Sequence, residues 1–160
     1  MPISRKLADF LDARRVSYRT LVHPEACTAQ EIADASHISG RKVAKVIGVR
    51  DADGEWLLAV LPAPFRVDLD ALAVVAGSHG LRLAAEGELL ERFPDYPAGA
   101  VPPFERLEDV PVYLDVRFAE APDISFEDGS HRGLVTMRVE DYIRVAQPVI
   151  ARFSRAHRGH

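Results

Sequence analysis

Cysteine is almost absent from this sequence, which restricts the chemistry that depends on thiols. Cys27 is the only cysteine in 160 residues, and this excludes an internal disulfide framework and any metal site built from several thiolates. A lone thiol can act as a nucleophile. However, Ala26 precedes Cys27 and a predicted helix start follows it, a setting that favours a small core or boundary residue.

The motifs of several common enzyme classes are also missing. The sequence contains no G-x-x-x-x-G-K-[ST], no G-x-G-x-x-G, no G-x-S-x-G and no H-E-x-x-H, which mark phosphate-binding, dinucleotide-binding, serine hydrolase and zinc protease sites. The six histidines lack the spacing with acidic residues that metal ligation requires. We therefore expect neither a metal nor a cofactor.

Long apolar runs and an excess of positive charge are lacking as well. No segment approaches the roughly 20 apolar residues that cross a bilayer, and Met1–Leu7 have no apolar signal-peptide core. These absences predict a cytoplasmic protein without a membrane partner. The net charge of −4 argues against non-specific coating of nucleic acid, so DNA is not expected as a partner. Arg41 and Lys42 leave open a local basic rim beside a predicted strand.

The composition that is present suits one folded domain. With 160 residues, of which 48% are apolar and 28% charged, the chain can bury a core, and we place the domain at residues 1–150. Residues 151–160 are basic, and we expect a mobile tail there, either a solvated end or part of a basic rim.

Periodicity and turn signals predict helices mixed with strand hairpins. The predicted helices cover residues 4–14, a segment that begins at a Thr28 capping box and stops at Gly40, and residues 68–76, 86–92 and 139–145, the last of which ends the fold. The predicted strands cover residues 17–21, 42–50, 55–61, 81–84, 112–116, 124–126 and 133–138. Hairpins mixed with helices indicate an α+β fold.

Lys45 occupies an unusual place in one of these strands. Alternation puts its side chain on the same face as Val43, Ile47 and Val49, a face that we expect to be buried. An ammonium among aliphatic side chains is costly unless an anion or strong acceptor meets it, which points to a ligand pocket. The alternative is a lysine whose stem is buried and whose ammonium reaches water.

Two later segments could complete such a pocket. In the loop Gly99-Ala100-Val101-Pro102-Pro103 the glycine permits close backbone approach and the prolines stiffen the chain, although an ordinary Pro-rich turn has the same composition. His131 follows Gly129-Ser130 in a predicted turn. It could hydrogen-bond in a cleft or act as a general base, or it could lie on the surface of the turn.

Taken together, these segments resemble the YbaK family, which is related to the editing domain inserted in bacterial prolyl-tRNA synthetases. The resemblance covers roughly residues 4–150 and is carried by five segments in order: His23-Pro24-Glu25-Ala26 before Thr28-Ala29, Ala44-Lys45-Val46, Gly99-Ala100-Val101-Pro102-Pro103, Pro111-Val112-Tyr113-Leu114-Asp115 and Gly129-Ser130-His131. It implies an α+β fold in which a mixed, barrel-like sheet is wrapped by helices. It also implies hydrolysis, in trans, of mischarged aminoacyl-tRNA that carries a small non-cognate amino acid.

The resemblance further implies which residues form the site. The implied catalytic residues are Lys45, Gly99 and His131, and the implied substrate-binding residues are Ala100, Val101, Pro102, Pro103, Gly129, Ser130, His23 and Thr28. The implied reaction is metal-independent and uses no cofactor. The implied partner is the acceptor end of aminoacyl-tRNA, with an aminoacyl-tRNA synthetase as a further partner. Because the ester is already reactive, positioning, backbone N–H groups for the oxyanion and a water suffice, and no Ser or Cys nucleophile is needed.

A second function stays open at this stage, a non-catalytic module that binds an aminoacyl-adenosine-like ligand or the tRNA end, or that docks on a synthetase. Two positions also differ from the family pattern. Glu105 follows Phe104 where family loops often continue with glycine, and Arg41 stands four residues before Lys45 in place of the asparagine of the alanyl-prolyl editing branch. The resemblance therefore implies no particular amino acid.

Overall fold

The structure, a computed structural model, describes residues 4–22, 42–97, 99–130 and 133–156. The helices in these ranges are α1 Arg5–Ala13, α2 Leu69–Ala76, α3 Glu86–Arg92, α4 Glu105–Glu108, α5 Val116–Ala119 and α6 Val139–Ala146. The strands are β1 Arg19–Val22, β2 Ala44–Arg50, β3 Trp56–Pro62, β4 Phe65–Val67, β5 Arg82–Leu83, β6 Val112–Asp115, β7 Asp123–Glu127, β8 Gly133–Arg138, β9 Val149–Ala151 and β10 Ser154–Ala156.

These strands form a mixed sheet and two smaller antiparallel ones. The five-stranded sheet has the order β5-β2-β3-β6-β9, in which β2 pairs antiparallel with β3 and β5, while β3–β6 and β6–β9 are parallel. The smaller sheets are β1-β8-β7 and β10-β4, and an isolated parallel bridge between Val43 and Ser125 joins the chain before β2 to β7. The predicted α+β class with a mixed sheet is confirmed.

Local sequence explains why the central hairpin forms between β2 and β3. The carboxylate of Asp51 accepts hydrogen bonds from the backbone N–H groups of Asp53 at 2.8 Å and Glu55 at 3.0 Å. Gly54 has φ of 82°, a left-handed conformation that glycine adopts without a Cβ penalty. The predicted hairpin is therefore confirmed, and so are the helices at 68–76 and 86–92 within a residue of their observed bounds.

The sheet separates two apolar cores, because alternate residues of β3 face opposite ways. Leu58 and Val60 belong to the larger core, in which Phe104 packs against three other aromatic rings. Leu57 and Leu61 belong to the smaller core, which lies under α2. Trp56, Leu58 and Val60, which alternation places on one face of β3, all pack in the larger core.

The prediction that the fold ends with the helix at 139–145 is wrong, and so is the prediction of a mobile tail for residues 151–156, the part of that tail that the structure describes. Strand β9 pairs with β6, and β10 pairs with β4. The buried carboxylate of Asp115 accepts hydrogen bonds from the backbone N–H groups of Phe153 at 3.0 Å and Ser154 at 2.9 Å, and from the Ser154 hydroxyl at 2.8 Å. Such long-range pairing leaves no local signal in three-residue strands, so the domain extends past 150 to at least Ala156.

None of the helices in the described ranges is long and apolar enough to cross a bilayer.

Candidate active site

Lys45 lies on β2 and faces a pocket at the edge of the smaller core. The pocket has a volume of about 340 Å³ and is lined by Lys45, Ile47, Arg66, Val67, Leu69, Leu83 and Arg155. The lysine side chain is half-buried, and this burial lowers the pKa of Lys45 below its ordinary value of 10.5. The expected placement of a lysine among aliphatic side chains is thus observed, and the pocket gives its ammonium room for a ligand.

The pocket contains two further cations that the sequence analysis did not single out as site residues. Arg66 on β4 lies directly opposite Arg155 on β10 in the antiparallel pair. Within the described part of the chain, neither arginine nor Lys45 has a hydrogen bond or ion pair to a carboxylate. This arrangement suits an anionic ligand.

The Gly99–Pro103 loop is held against the larger core. Gly99 is exposed and has φ of 84°, whereas Ala100, Val101 and Phe104 are buried. The hydroxyl of Tyr142 donates a hydrogen bond of 2.7 Å to the carbonyl oxygen of Pro103. The loop therefore has a fixed end and presents its glycine to solvent.

The backbone N–H groups of this loop are not all engaged. The Ala100 N–H donates to the carbonyl oxygen of Pro97 at 3.0 Å. The prolines have no N–H. Among the described residues, the N–H groups of Gly99, which is exposed, and of Val101, which is buried, make no hydrogen bond.

The Gly129–Ser130 turn packs against the start of the loop. A Cβ on Gly129, whose φ is 91°, would come within 3.1 Å of Ser4 and Tyr96, and Tyr96 lies three residues before Gly99. The Ser130 N–H and hydroxyl donate to the Asp128 carboxylate at 2.8 and 2.5 Å. The turn therefore contacts Tyr96, which leads into the loop.

Glu127, at the end of β7, is a buried carboxyl group beside this turn that the sequence analysis missed. Burial, and next the charge of Asp128, raise the pKa of Glu127 to about 8. Val43, just before β2, and Ser125 in β7 form a parallel bridge, and Lys45 and Glu127 each come two residues after their member of this bridge. No local pattern distinguishes such a carboxyl group from an ordinary solvent-facing strand residue.

The loop and Lys45 are not on the same side of β2. Val101 belongs to the larger core together with Ala44 and Val46, the two neighbours of Lys45 whose side chains point away from it. The loop is also not among the described residues that line the Lys45 pocket. His23, Thr28 and His131, as well as Cys27 and Arg41, lie outside the described residues. The catalytic and binding roles assigned to all these residues stay predictions.

No group of three or more His, Cys, Asp or Glu side chains in the described ranges is arranged to hold a metal ion. Metal independence stays a prediction, because Cys27 and all the histidines except His79 lie outside the described residues.

Comparison with known proteins gives a consistent set of similarities. The family model of the aminoacyl-tRNA editing domain matches residues 23–145. The multifunctional Ser/Thr-tRNA deacylase ProXp-y of Escherichia coli strain K12 is 29% identical over 157 residues, covering 94% of this chain and 92% of that protein. The same protein from Escherichia coli O157:H7 matches with the same values.

Two crystal structures share the fold. One, of a protein without an assigned function, has a TM-score of 0.86 at 23% identity and covers 94% of this chain and 100% of that chain. The other, of a candidate trans-editing enzyme for prolyl-tRNA synthetase, has a TM-score of 0.79 at 22% identity and covers 95% of this chain and 96% of that chain. At these identities the likeness concerns the fold.

Proposed function

Because this chain belongs to the aminoacyl-tRNA editing domain family, we propose that it is a hydrolase that deacylates mischarged aminoacyl-tRNA in trans. The observation that carries the proposal is the match of the family model over residues 23–145, which contains Lys45, the Gly99–Pro103 loop and the Gly129–Ser130 turn. The similarity to a Ser/Thr-tRNA deacylase along 94% of the chain supports the same reaction class.

The loop supplies the oxyanion donors in this proposal. Attack of water on the ester carbonyl develops negative charge on its oxygen, and preorganised N–H groups stabilise that charge. Gly99 and Val101 are the candidates, since their N–H groups make no hydrogen bond to the described residues while that of Ala100 is engaged. The ribose hydroxyl next to the ester orients the attacking water, and the tRNA leaves with the proton.

Lys45 and the turn residues position the substrate. The Lys45 ammonium, which faces a different pocket from the loop, fixes a phosphate, carbonyl or hydroxyl oxygen of the tRNA end by a charge-assisted hydrogen bond. Ser130 and His131 orient the substrate or water, and the amino acid removed is a small non-cognate one. One methylene changes apolar binding by only about 1 to 3 kcal/mol, so a synthetase that confuses small amino acids benefits from a second hydrolytic step. We place this reaction in the cytoplasm, where a synthetase is a candidate partner.

A deacylation screen tests the proposal. Purified protein is mixed with tRNAs that carry Ala, Ser, Thr or Cys in place of the cognate amino acid, and with the correctly charged tRNAs as controls. We expect at least one mischarged tRNA to be hydrolysed at least about tenfold faster than its spontaneous rate, with its cognate counterpart spared. Tight binding of mischarged tRNA without acceleration on any member of the panel would contradict it and favour the non-catalytic binding module.

A further inference from the structure

Arg66 and Arg155 form an energetically unfavourable pair in the protein without a ligand. They lie directly opposite each other on β4 and β10, where side chains of an antiparallel pair are close neighbours. Like charges at such positions destabilise the strand pair. Lys45 adds a third cation to the same pocket.

Nearby acidic residues are directed elsewhere. The Asp68 carboxylate, next in the chain after β4, accepts a hydrogen bond from the N–H of Ala71 in α2. The Asp115 carboxylate accepts a hydrogen bond from the Ser154 hydroxyl, and the Ser154 side chain is on the opposite face of β10 from Arg155. In the described ranges the remaining lining residues of the pocket are apolar. Among the residues that the structure describes, the three cations thus have no carboxylate within ion-pair distance, in a chain whose net charge is −4.

We propose that Arg66 and Arg155 bind a phosphodiester group of the tRNA acceptor end while Lys45 faces the same pocket. This inference rests on the proposed function, and it adds a binding subsite on β4 and β10 to that function. Guanidinium groups match the oxygens of a phosphate with paired hydrogen bonds, and the phosphate removes the repulsion between the arginines. The apolar wall, which includes the exposed Leu83, gives the adjoining nucleoside a surface to lie on.

Binding of an uncharged CCA trinucleotide tests the subsite without any need for turnover. Calorimetric titrations compare the wild type with Arg66→Gln/Arg155→Gln, and with Arg5→Gln/Arg144→Gln as a control that removes two charges from side chains that are 94% and 55% exposed. We expect the Arg66/Arg155 variant to lose at least about tenfold in affinity for CCA, and its salt dependence to fall by roughly one unit of log–log slope. The control variant should keep the CCA affinity and the salt dependence of the wild type. Adenosine, which has no phosphate, should bind all three proteins with the same affinity.

Further measurements distinguish the proposed subsite from other roles of Arg66 and Arg155. Inorganic phosphate that binds the wild type as tightly as CCA, and displaces it, would overturn the phosphodiester assignment in favour of a free-phosphate site. Unchanged CCA affinity in the Arg66/Arg155 variant would overturn the subsite altogether. If Arg66 and Arg155 served only to stabilise the fold, the Arg66/Arg155 variant without ligand would have a lower melting temperature than the wild type. We expect no decrease, because the substitutions remove the repulsion between the two arginines.

If the Gln variant does not fold, Arg66→Lys/Arg155→Lys takes its place, since it keeps both charges. We expect this variant still to bind CCA more weakly than the wild type, and equal binding would overturn the proposal.

Kinetics separate this inference from the function on which it rests. On a mischarged tRNA that the wild type hydrolyses, the Arg66/Arg155 variant should raise KM about tenfold and leave kcat within about twofold, since a phosphate contact is made in ground and transition states alike. Hydrolysis with unchanged KM would overturn the inference while the proposed function holds. Loss of CCA binding in the variant, in a protein that hydrolyses no mischarged tRNA, would overturn the proposed function and support the subsite.

Discussion

The hydroxyl of Tyr142 donates a 2.7 Å hydrogen bond to the carbonyl oxygen of Pro103, 39 residues earlier in the chain. Both groups are buried, and the Tyr142 ring packs edge-on against Phe104 at a centroid distance of 5.3 Å. Helix α6 thereby fixes the end of the loop that begins at Gly99. The position of the proposed oxyanion donors thus depends on a residue far from them in sequence.

Tyr142→Phe removes this hydrogen bond and keeps the ring. The Pro103 carbonyl is then buried without its partner, and we expect the free energy of unfolding to fall by about 1 to 3 kcal/mol, measured by urea denaturation. Single-turnover deacylation should slow several-fold because the loop is less well fixed. Tyr113→Phe is the matched control, since the Tyr113 hydroxyl has no hydrogen bond to the described residues. Equal stability of the two variants would show that the bond does not anchor the loop.

Lys45→Ala should reduce deacylation by about 100-fold, because the substrate loses a contact that positions it, while the protein stays folded. Burial already penalises the Lys45 ammonium, as its lowered pKa indicates, and the substitution leaves no described partner unpaired. Single-turnover rates and circular dichroism measure the two effects. Lys42→Ala, at an exposed position three residues earlier, serves as the control. Full turnover in a folded Lys45→Ala protein would leave only the interpretation that the lysine reaches water from a buried stem.

Activity should survive both exhaustive EDTA treatment and Cys27→Ser. The sequence offers no metal-ligand spacing and no thiol paired with a base, so neither change removes a group that the proposed reaction uses. Deacylation rates before and after dialysis provide the measurement. Loss of turnover on chelation that one particular metal restores would overturn metal independence.

Most of the local structure could be predicted because its signals are local. The turn residues Asp51 and Gly54 fix the central hairpin, and Gly77, with φ of 65°, ends α2 as expected of a glycine C-cap. Helix α5, at Val116–Ala119, was not predicted. It is a single turn that begins at Asp115, whose side chain accepts from the N–H of Arg117, and one turn carries no periodicity.

The site was harder to predict because its parts meet through tertiary pairing. Lys45 could be singled out from one strand, since an ammonium among aliphatic residues conflicts with burial. Arg66 and Arg155 are neighbours only because β10 returns to β4, and the sequence placed Arg155 in a mobile tail. The placement of Val101 on the other side of β2 from Lys45 depends likewise on how the loop crosses the larger core.

Glu127→Gln should change how stability depends on pH. The pKa of Glu127 is about 8 in the folded protein against 4.5 ordinarily. The contribution of the neutral carboxyl group to the free energy of unfolding is therefore fully present below about pH 4.5, and it is lost as pH rises through about 8. Glu127→Gln has no carboxyl group to titrate at this position and so does not lose stability in this way. Its free energy of unfolding, relative to that of the wild type, should rise between about pH 4.5 and 8 and then level off. Urea denaturation at four pH values measures the difference. Glu140→Gln, at a side chain 71% exposed, is the control. Parallel wild-type and Glu127→Gln profiles would show that the carboxyl group titrates normally.

Gly99→Val should impair turnover more than His131→Ala. A Cβ at Gly99 would meet no atom within 4 Å, so the cost comes from its φ of 84°, which a β-branched residue rarely adopts. The backbone must then rotate, and the N–H groups of Gly99 and Val101 lose their direction. Loss of one oxyanion donor typically slows a reaction by about 100-fold or more, whereas a histidine that orients substrate or water contributes less. Gly87→Val is the matched control, because Gly87 also has open space but no positive φ. Single-turnover rates on one mischarged tRNA give the ranking, and a folded His131→Ala protein slower than Gly99→Val would identify His131 as a general base.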